Sequence, residues 1–394
     1  MKTVGKNFTN LKWRNLLFLN ALVFLIISCE KESTEGFEEA GLNAKAEVMA
    51  EPFEFSAPVY DIATTPDGAV LVGLNSGDMK EIQIIRNGKI STMSKFEADN
   101  NIQGIATIGA GNAFVTTAGS DLAQTGALYR VSQGNARMVA DLGAFEREND
   151  PDAYEGLMWK NQLCEATDGF SAGPQNNPFK VAALSGNTAL VADAAGNTLL
   201  SATTTGEVDW KAVFTPPTDD EGNYLVRWFA GDDADIPCYV QPVPTSVAVG
   251  PDGYVYVGEL TGAVSEEAGL PIGLSRVWKI PADATHVVCS EDSGPCEVIV
   301  DGLTSVIDIA IGPDGRLYVV EFDEMSWIAS FVEGLAAGGT ITSYDLDGSN
   351  EEVVATGLSF PSAISFDKKG NLWLLENNSI GLPGYPPTVR MLEY

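Results

Sequence analysis

Histidine is almost missing from this chain: among 394 residues, His286 is the only one. A site built on two imidazoles, such as a three-histidine zinc centre, therefore has no ligands within one subunit. Basic residues are scarce too, with 23 Lys and Arg against 54 Asp and Glu and a formal net charge of −31. Binding nucleic acid requires a cationic footprint that displaces phosphate counterions, so a nucleic-acid partner is excluded. A membrane-crossing helix needs an apolar run of about 20 residues. The longest run here, Leu16 to Ile27, is shorter and is broken by Asn20. Neither a phosphate-cradling P-loop nor a His-Glu-x-x-His zinc helix occurs.

What the chain does have is the composition of a folded β protein. It is 45% hydrophobic and 20% charged, with 40 Gly and 20 Pro for turns and 17 Phe, 11 Tyr and 7 Trp for strands. Six segments share one pattern: an apolar strand with Ile/Val-Ala at its centre, a tight turn, and a second apolar strand. They read YDIATTPDGAVLVGLNSG, QGIATIGAGNAFVTTAG, FKVAALSGNTALVADAAG, TSVAVGPDGYVYVGELTG, IDIAIGPDGRLYVVEFDE and SAISFDKKGNLWLLENNS. Further apolar stretches split by Gly follow these segments, such as IQIIRNGKISTM and GTITSYDLDGSNEEVVATGL. Four strands per repeat, six times over, predict an all-β, six-bladed β-propeller.

The central residues Ile62, Ile105, Val181, Val247, Ile309 and Ile364 are unevenly spaced, so loops carry insertions. The longest runs from about Phe145 to Asn177, is acidic and holds Trp159 and Cys164. A second, Asp219 to Gln241, holds Trp228 and Cys238. The last repeat supplies only three strands, and a segment before the first blade, Lys45 to Ala50, is expected to complete it. Closure of this kind hides the sheet edge that would otherwise recruit other chains.

Residues 1–28 carry Lys2, Lys6, Lys12 and Arg14, no acid, and then the short apolar run. This is the layout of a signal peptide. The sequence IISC ending at Cys29 resembles the lipobox of bacterial lipoproteins, in which the cysteine is lipidated and becomes the new N-terminus. Glu30-Lys31-Glu32 resembles the export signal of bacterial surface lipoproteins. The expected organisation is a signal at 1–28, a flexible tether at 29–45 and a propeller at 46–394. The protein would lie in the cell envelope, on the outer membrane and periplasmic or surface-exposed, held by lipid alone because its acidity repels anionic headgroups.

Four cysteines remain beyond Cys29, an even number suited to an oxidising compartment. Three connectivities are open. The short polar loop from Cys289 to Cys296 brings its ends together as a hairpin clip, leaving Cys164 with Cys238 by elimination.

PTSVAVGPDGYVYVGELTG, VIDIAIGPDGRLYVVE and VADAAGNTLLSATTTGEV resemble the ScyD/ScyE family of exported, NHL-like propellers over about residues 46–394. The sequence departs from that pattern at Ala110-Gly111-Asn112 and in the two Cys-bearing insertions. The resemblance implies a six-bladed periplasmic or surface protein and brings no established reaction.

Polar residues at second-strand ends and first-strand starts are expected to converge at one channel mouth. They are Asp61, Asn75, Asp193, Glu259, Asp308, Glu321 and Glu376. Converging carboxylates suit a hard cation, Ca²⁺ or Mg²⁺, with Glu259, Asp308 and Glu321 as its candidate ligands. The competing expectation is that such carboxylates cap neighbouring backbone N–H groups. Asp67, Asp252 and Asp314 belong to the turns, and His286, next to a cysteine clip, is expected to be structural. Trp159, Trp228 and Trp327 are candidate aromatic platforms. Two functions follow as expectations: a binding or scaffold module for a small molecule or protein, without a reaction, and a divalent-metal lactonase or hydrolase similar to gluconolactonase-type propellers.

Overall fold

The Pro-Asp-Gly turns join first and second strands as expected. Gly253 has φ 85° and Gly315 has φ 82°, left-handed geometry that glycine adopts at no steric cost. Asp252 and Asp314 complete these turns. Asp252 accepts from the Tyr256 hydroxyl at 2.7 Å and Asp314 from the Tyr318 hydroxyl at 2.9 Å.

The structure is a computed structural model, described for residues 51–118, 125–156, 174–230, 236–291, 294–378 and 385–393. The fold is all-β, a six-bladed propeller of antiparallel sheets. Blade one comprises Val59–Thr64, Val70–Ser76, Met79–Arg86 and Lys89–Glu97. Blade two comprises Asn101–Thr107, Asn112–Ala118, Ala127–Ser132 and Asn135–Asp141. Blade three comprises Pro178–Ala183, Thr188–Asp193, Thr198–Thr203 and Val208–Phe214. Blade four comprises Pro242–Val249, Tyr254–Thr261, Ser275–Pro281 and Glu297–Leu303. Blade five comprises Val306–Ile311, Leu317–Glu321, Gly339–Tyr344 and Glu352–Leu358.

Pro361–Phe366, Leu372–Glu376 and Thr388–Leu392 form blade six, whose outer strand is Phe53–Glu54, with Phe53 opposite Val389. The ring is thus closed by an N-terminal strand. That strand follows the expected segment Lys45 to Ala50, which lies outside the described residues.

One register repeats in every blade. Ile62 pairs with Val72, Ile105 with Val115, Val181 with Val191, Val247 with Val257, Ile309 with Val319 and Ile364 with Leu374. The six first strands pack side by side in a complete ring, and the apolar faces of adjacent blades meet between them. Leu190, Leu199 and Phe214 of blade three, for example, pack on Val247, Val257 and Trp278 of blade four. Alternation thus buries one stripe against each neighbouring blade, as a sheet-on-sheet core requires.

Blade three gains a fifth, parallel strand, Val287–Cys289, contributed by an excursion from blade four. The Cys289–Cys296 disulfide clips that excursion, with its Cα atoms 5.2 Å apart. Cys238 is also disulfide-bonded, and its expected partner Cys164 lies outside the described residues. His286 caps the same seam. Its ring stacks on Trp210 at 4.6 Å and its Nε2 meets Asp209 Oδ1 at 2.7 Å.

The insertion after blade two opens with an element that β periodicity does not announce, the helix Leu142–Asn149. Asp141 caps it by accepting from the Ala144 N–H at 2.8 Å, as N-cap carboxylates do. A 3-10 turn, Pro151–Gly156, follows. The second insertion folds as the hairpin Val226–Ala230 and Ile236–Tyr239. Among the described residues no helix is long and apolar enough to cross a membrane.

Candidate functional site

The residue just before each central Ile/Val holds one repeat position: Asp61, Gly104, Lys180, Ser246, Asp308 and Ala363. In the third blade this position is a lysine, buried to 3% exposure. Lys180 Nζ reaches across the ring to Asp61, donates to the Ser362 carbonyl at 3.2 Å and the Tyr60 carbonyl at 3.4 Å, and faces Asp308 Oδ2 at 3.8 Å. Each carboxylate also stitches its blade to the next. Asp61 accepts from the Ile105 N–H at 2.6 Å, and Asp308 from the Ile364 N–H at 2.8 Å. Burial raises the Asp61 carboxyl above its usual range, an effect that Lys180 partly offsets. Burial likewise pushes Asp308 up to about 7, with Lys180 opposing and Asp61 reinforcing. The ammonium has its acceptors in place, and Lys180, Asp61 and Asp308 form a buried ion-pair plug between blades.

The remaining carboxylates do not join this network. Asp193, Glu259, Glu321 and Glu376 sit at one repeat position, two residues beyond the partner of the central Ile/Val, and point into their own blades. Asp193 accepts from the backbone N–H groups of Asn177 at 2.6 Å and Gly196 at 3.1 Å. Glu321 accepts from the Thr304 N–H at 2.5 Å, and Glu376 from the Ser359 N–H at 3.0 Å. Glu259, fully buried, is held by Arg276 Nη2 at 2.6 Å and the Trp278 indole at 2.5 Å. Asn75 clamps blade one to blade two, accepting from the Ile102 N–H at 2.8 Å and donating back to the Ile102 carbonyl at 3.2 Å.

Burial pushes Glu321 up to about 7 and Asp193 to about 6, with the backbone N–H bonds opposing both shifts. It raises Glu259 too, against Arg276. The expected convergence of seven residues therefore gives way to one channel pair and five separate clamps. Glu259, Asp308 and Glu321 do not form a shared cation site: a guanidinium, an ammonium and a backbone amide already occupy them. A strand-end carboxylate that turns into its blade finds the unpaired N–H groups of the incoming loop, and satisfying them outweighs meeting its counterparts across the ring.

Above the plug, at the end where first strands begin, lies a pocket of about 500 Å³. Its apolar lining includes the buried Leu260, Ile307 and Phe322, together with Phe179, Trp327 and the exposed Phe331. The last two come from the 3-10 turn Trp327–Phe331 after blade five. Trp327 is fixed by its indole N–H, which donates to the Thr261 carbonyl at 3.1 Å. Phe331 stands edge-on to it at 6.0 Å and is 71% exposed. Polar side chains also line it, from Gln175, Asn177, Gln241, Thr245, Ser330 and Asn378. Among the described residues the lining contains no ionisable side chain.

Sequence reasoning missed Lys180, although FKVAA places it at the repeat position of Asp61 and Asp308. It also missed the apolar mouth, because its residues come from three blades and read individually as core. A Gly-x-Ser-x-Gly string at 169–173 has the spelling of a nucleophile elbow. It falls outside the described residues, as does Trp159. Trp228 is in the hairpin of the second insertion, and of the two described aromatic-platform candidates Trp327 lines the pocket.

No protein-family model and no curated protein matches the sequence. Solved structures do match in shape. A Thermus thermophilus protein titled as an oxidoreductase (glucose dehydrogenase) is 15% identical, with a TM-score of 0.51 over 86% of this chain and 98% of that one. A Bacteroides thetaiotaomicron protein of unknown function is 14% identical, with a TM-score of 0.50 over 87% of this chain and 72% of that one. At these identities the likeness is one of fold, and the chain is a six-bladed β-propeller.

Proposed function

We propose that this protein is an exported, lipid-anchored propeller of the ScyD/ScyE type that binds a small, largely apolar ligand, aromatic in character, at the channel mouth. One observation carries the ligand class: the mouth is an apolar pocket with an exposed aromatic rim and no ionisable lining group among the described residues. An exposed phenyl ring costs solvation that a bound apolar partner recovers. Polar side chains of the lining, among them Gln241, Thr245 and Ser330, are available for orientation, placed polar groups in a largely apolar cleft being the usual form of a ligand site. A lactonase route at this mouth would need carboxylates around the substrate. The carboxylates expected there are instead committed to Arg276, Lys180 and backbone amides.

Titration with an anilinonaphthalene sulfonate dye, read by dye and tryptophan fluorescence, tests this reading. Saturable one-site binding is expected. Trp327→Ala and Phe331→Ala should each weaken it about tenfold or more, since aromatic anchors dominate such sites. Binding unaffected by either substitution would place the ligand elsewhere.

Anchoring is supported by the basic segment, the short apolar run and IISC. Cys29→Ala is expected to move the protein from the membrane pellet to the soluble fraction. Retention of that variant in membranes after a high-salt wash would reject lipidation at Cys29.

A further inference from the structure

We propose that Glu146, Asp150 and Asp152, with Asn197 and Thr198, form a Ca²⁺ site where the first insertion meets blade three. One carboxylate oxygen from each of the three acids lies within 4.8 Å of the other two. Oxygens on opposite sides of a Ca²⁺ ion are about 4.6–5.2 Å apart. Glu146 is fully buried and Asp152 is 3% exposed. The backbone of Gln175 approaches Glu146, and the Asp150 and Asp152 carboxyls lie close enough to interact with each other, yet Glu146 Oε1 and Oε2, Asp150 Oδ1 and Asp152 Oδ1 have no hydrogen bond of good geometry.

Two neutral oxygens outside the acidic trio make the independent case. Asn197 is 1% exposed and Thr198 fully buried, and both Asn197 Oδ1 and Thr198 Oγ1 are without partners. Both residues lie against the acids. Asn197 Nδ2 donates to Asp152 Oδ2 at 2.8 Å. A Cβ placed on Gly196 would sit 3.3 Å from Glu146 Oε2 and 3.3 Å from Thr198 Oγ1, so these two oxygens face one spot. Buried acceptors that outnumber their donors are costly unless a cation or bound protons neutralise them. An all-oxygen set with three carboxylates suits Ca²⁺, which takes six to eight such ligands, whereas zinc prefers nitrogen and sulfur.

The ion would tie the helix Leu142–Asn149 and the turn Pro151–Gly156 to the Ala194–Asn197 turn of blade three. That turn and the Gln175–Asn177 segment share Asp193 as their hydrogen-bond acceptor. The site stands on its own residues and does not depend on what the mouth pocket binds.

Full-length protein stripped with EDTA and dialysed should take up one Ca²⁺ per chain by calorimetry. Its melting temperature should climb with Ca²⁺ concentration, and Mg²⁺ at equal concentration should raise it less. Glu146→Gln and Asp152→Asn should each weaken Ca²⁺ binding tenfold or more. Thr198→Val, which leaves the charge alone and serves if either acid variant fails to fold, should weaken it severalfold. Absence of Ca²⁺ uptake at millimolar concentration, preference for Mg²⁺ or Zn²⁺, or wild-type affinity in every variant that folds would overturn the proposal.

Discussion

Lys180→Met is expected to destabilise the propeller by about 3–5 kcal/mol at neutral pH, the usual cost of removing one partner from a buried ion pair. Methionine keeps the length and apolar body of the side chain, so the loss isolates the charge. Without the ammonium, Asp61 and Asp308 face each other across a channel in which they are 4% and 6% exposed, each keeping only backbone donors. Both carboxyls already lie above their usual range because of burial. Losing the cation raises them further, and they regain neutrality by taking up protons. The deficit should therefore shrink as pH falls toward 5. Urea unfolding at pH 8 and pH 5 measures it directly. The variant Lys180→Met with Asp61→Asn and Asp308→Asn, neutral at all three positions, should recover much of the loss. A deficit below about 1 kcal/mol at pH 8, or one independent of pH, would show that the network contributes packing and not charge compensation.

Glu321→Gln should stabilise the protein in alkaline solution, with little effect in acid. Burial pushes the Glu321 carboxyl up to about 7 against an ordinary value of 4.5. Between those two values the folded chain holds a proton that the unfolded chain has released. Stability from this group is thus complete below the unfolded value and is lost as pH rises through about 7. At 1.36 kcal/mol per unit, the full loss is about 3 kcal/mol by pH 8. Glutamine is neutral at every pH and keeps an oxygen for the Thr304 N–H, which Glu321 accepts at 2.5 Å. The wild type should lose stability from pH 5 to pH 8, with Asp308 and Asp193 contributing to the same slope. The Gln variant should show a shallower decline. Parallel pH profiles for the two proteins, measured by urea midpoint, would rule out the raised carboxyl.

The six-bladed ring, its closure by an N-terminal strand, the turn roles of Asp252 and Asp314 and the Cys289–Cys296 clip were all legible in the amino-acid order. Each rests on local physics. Apolar alternation of period two sets strand faces, Pro-Asp-Gly sets the hairpins, and a short polar loop brings its own ends together. Asp61 and Asp308 hold one repeat position before the central Ile-Ala, and that recurrence is readable in the sequence.

Tertiary structure alone decided what those residues meet. Lys180 is 119 positions from Asp61, and only ring closure sets them face to face. Glu259, Glu321 and Glu376 share a repeat position, yet they turn into their blades, where an arginine or an unpaired backbone N–H stands closer than any counterpart across the channel. The apolar mouth and the oxygen cluster at Glu146 draw on separate segments of the chain. No sequence period encodes them, because a pocket is defined by which surfaces the packed blades leave uncovered.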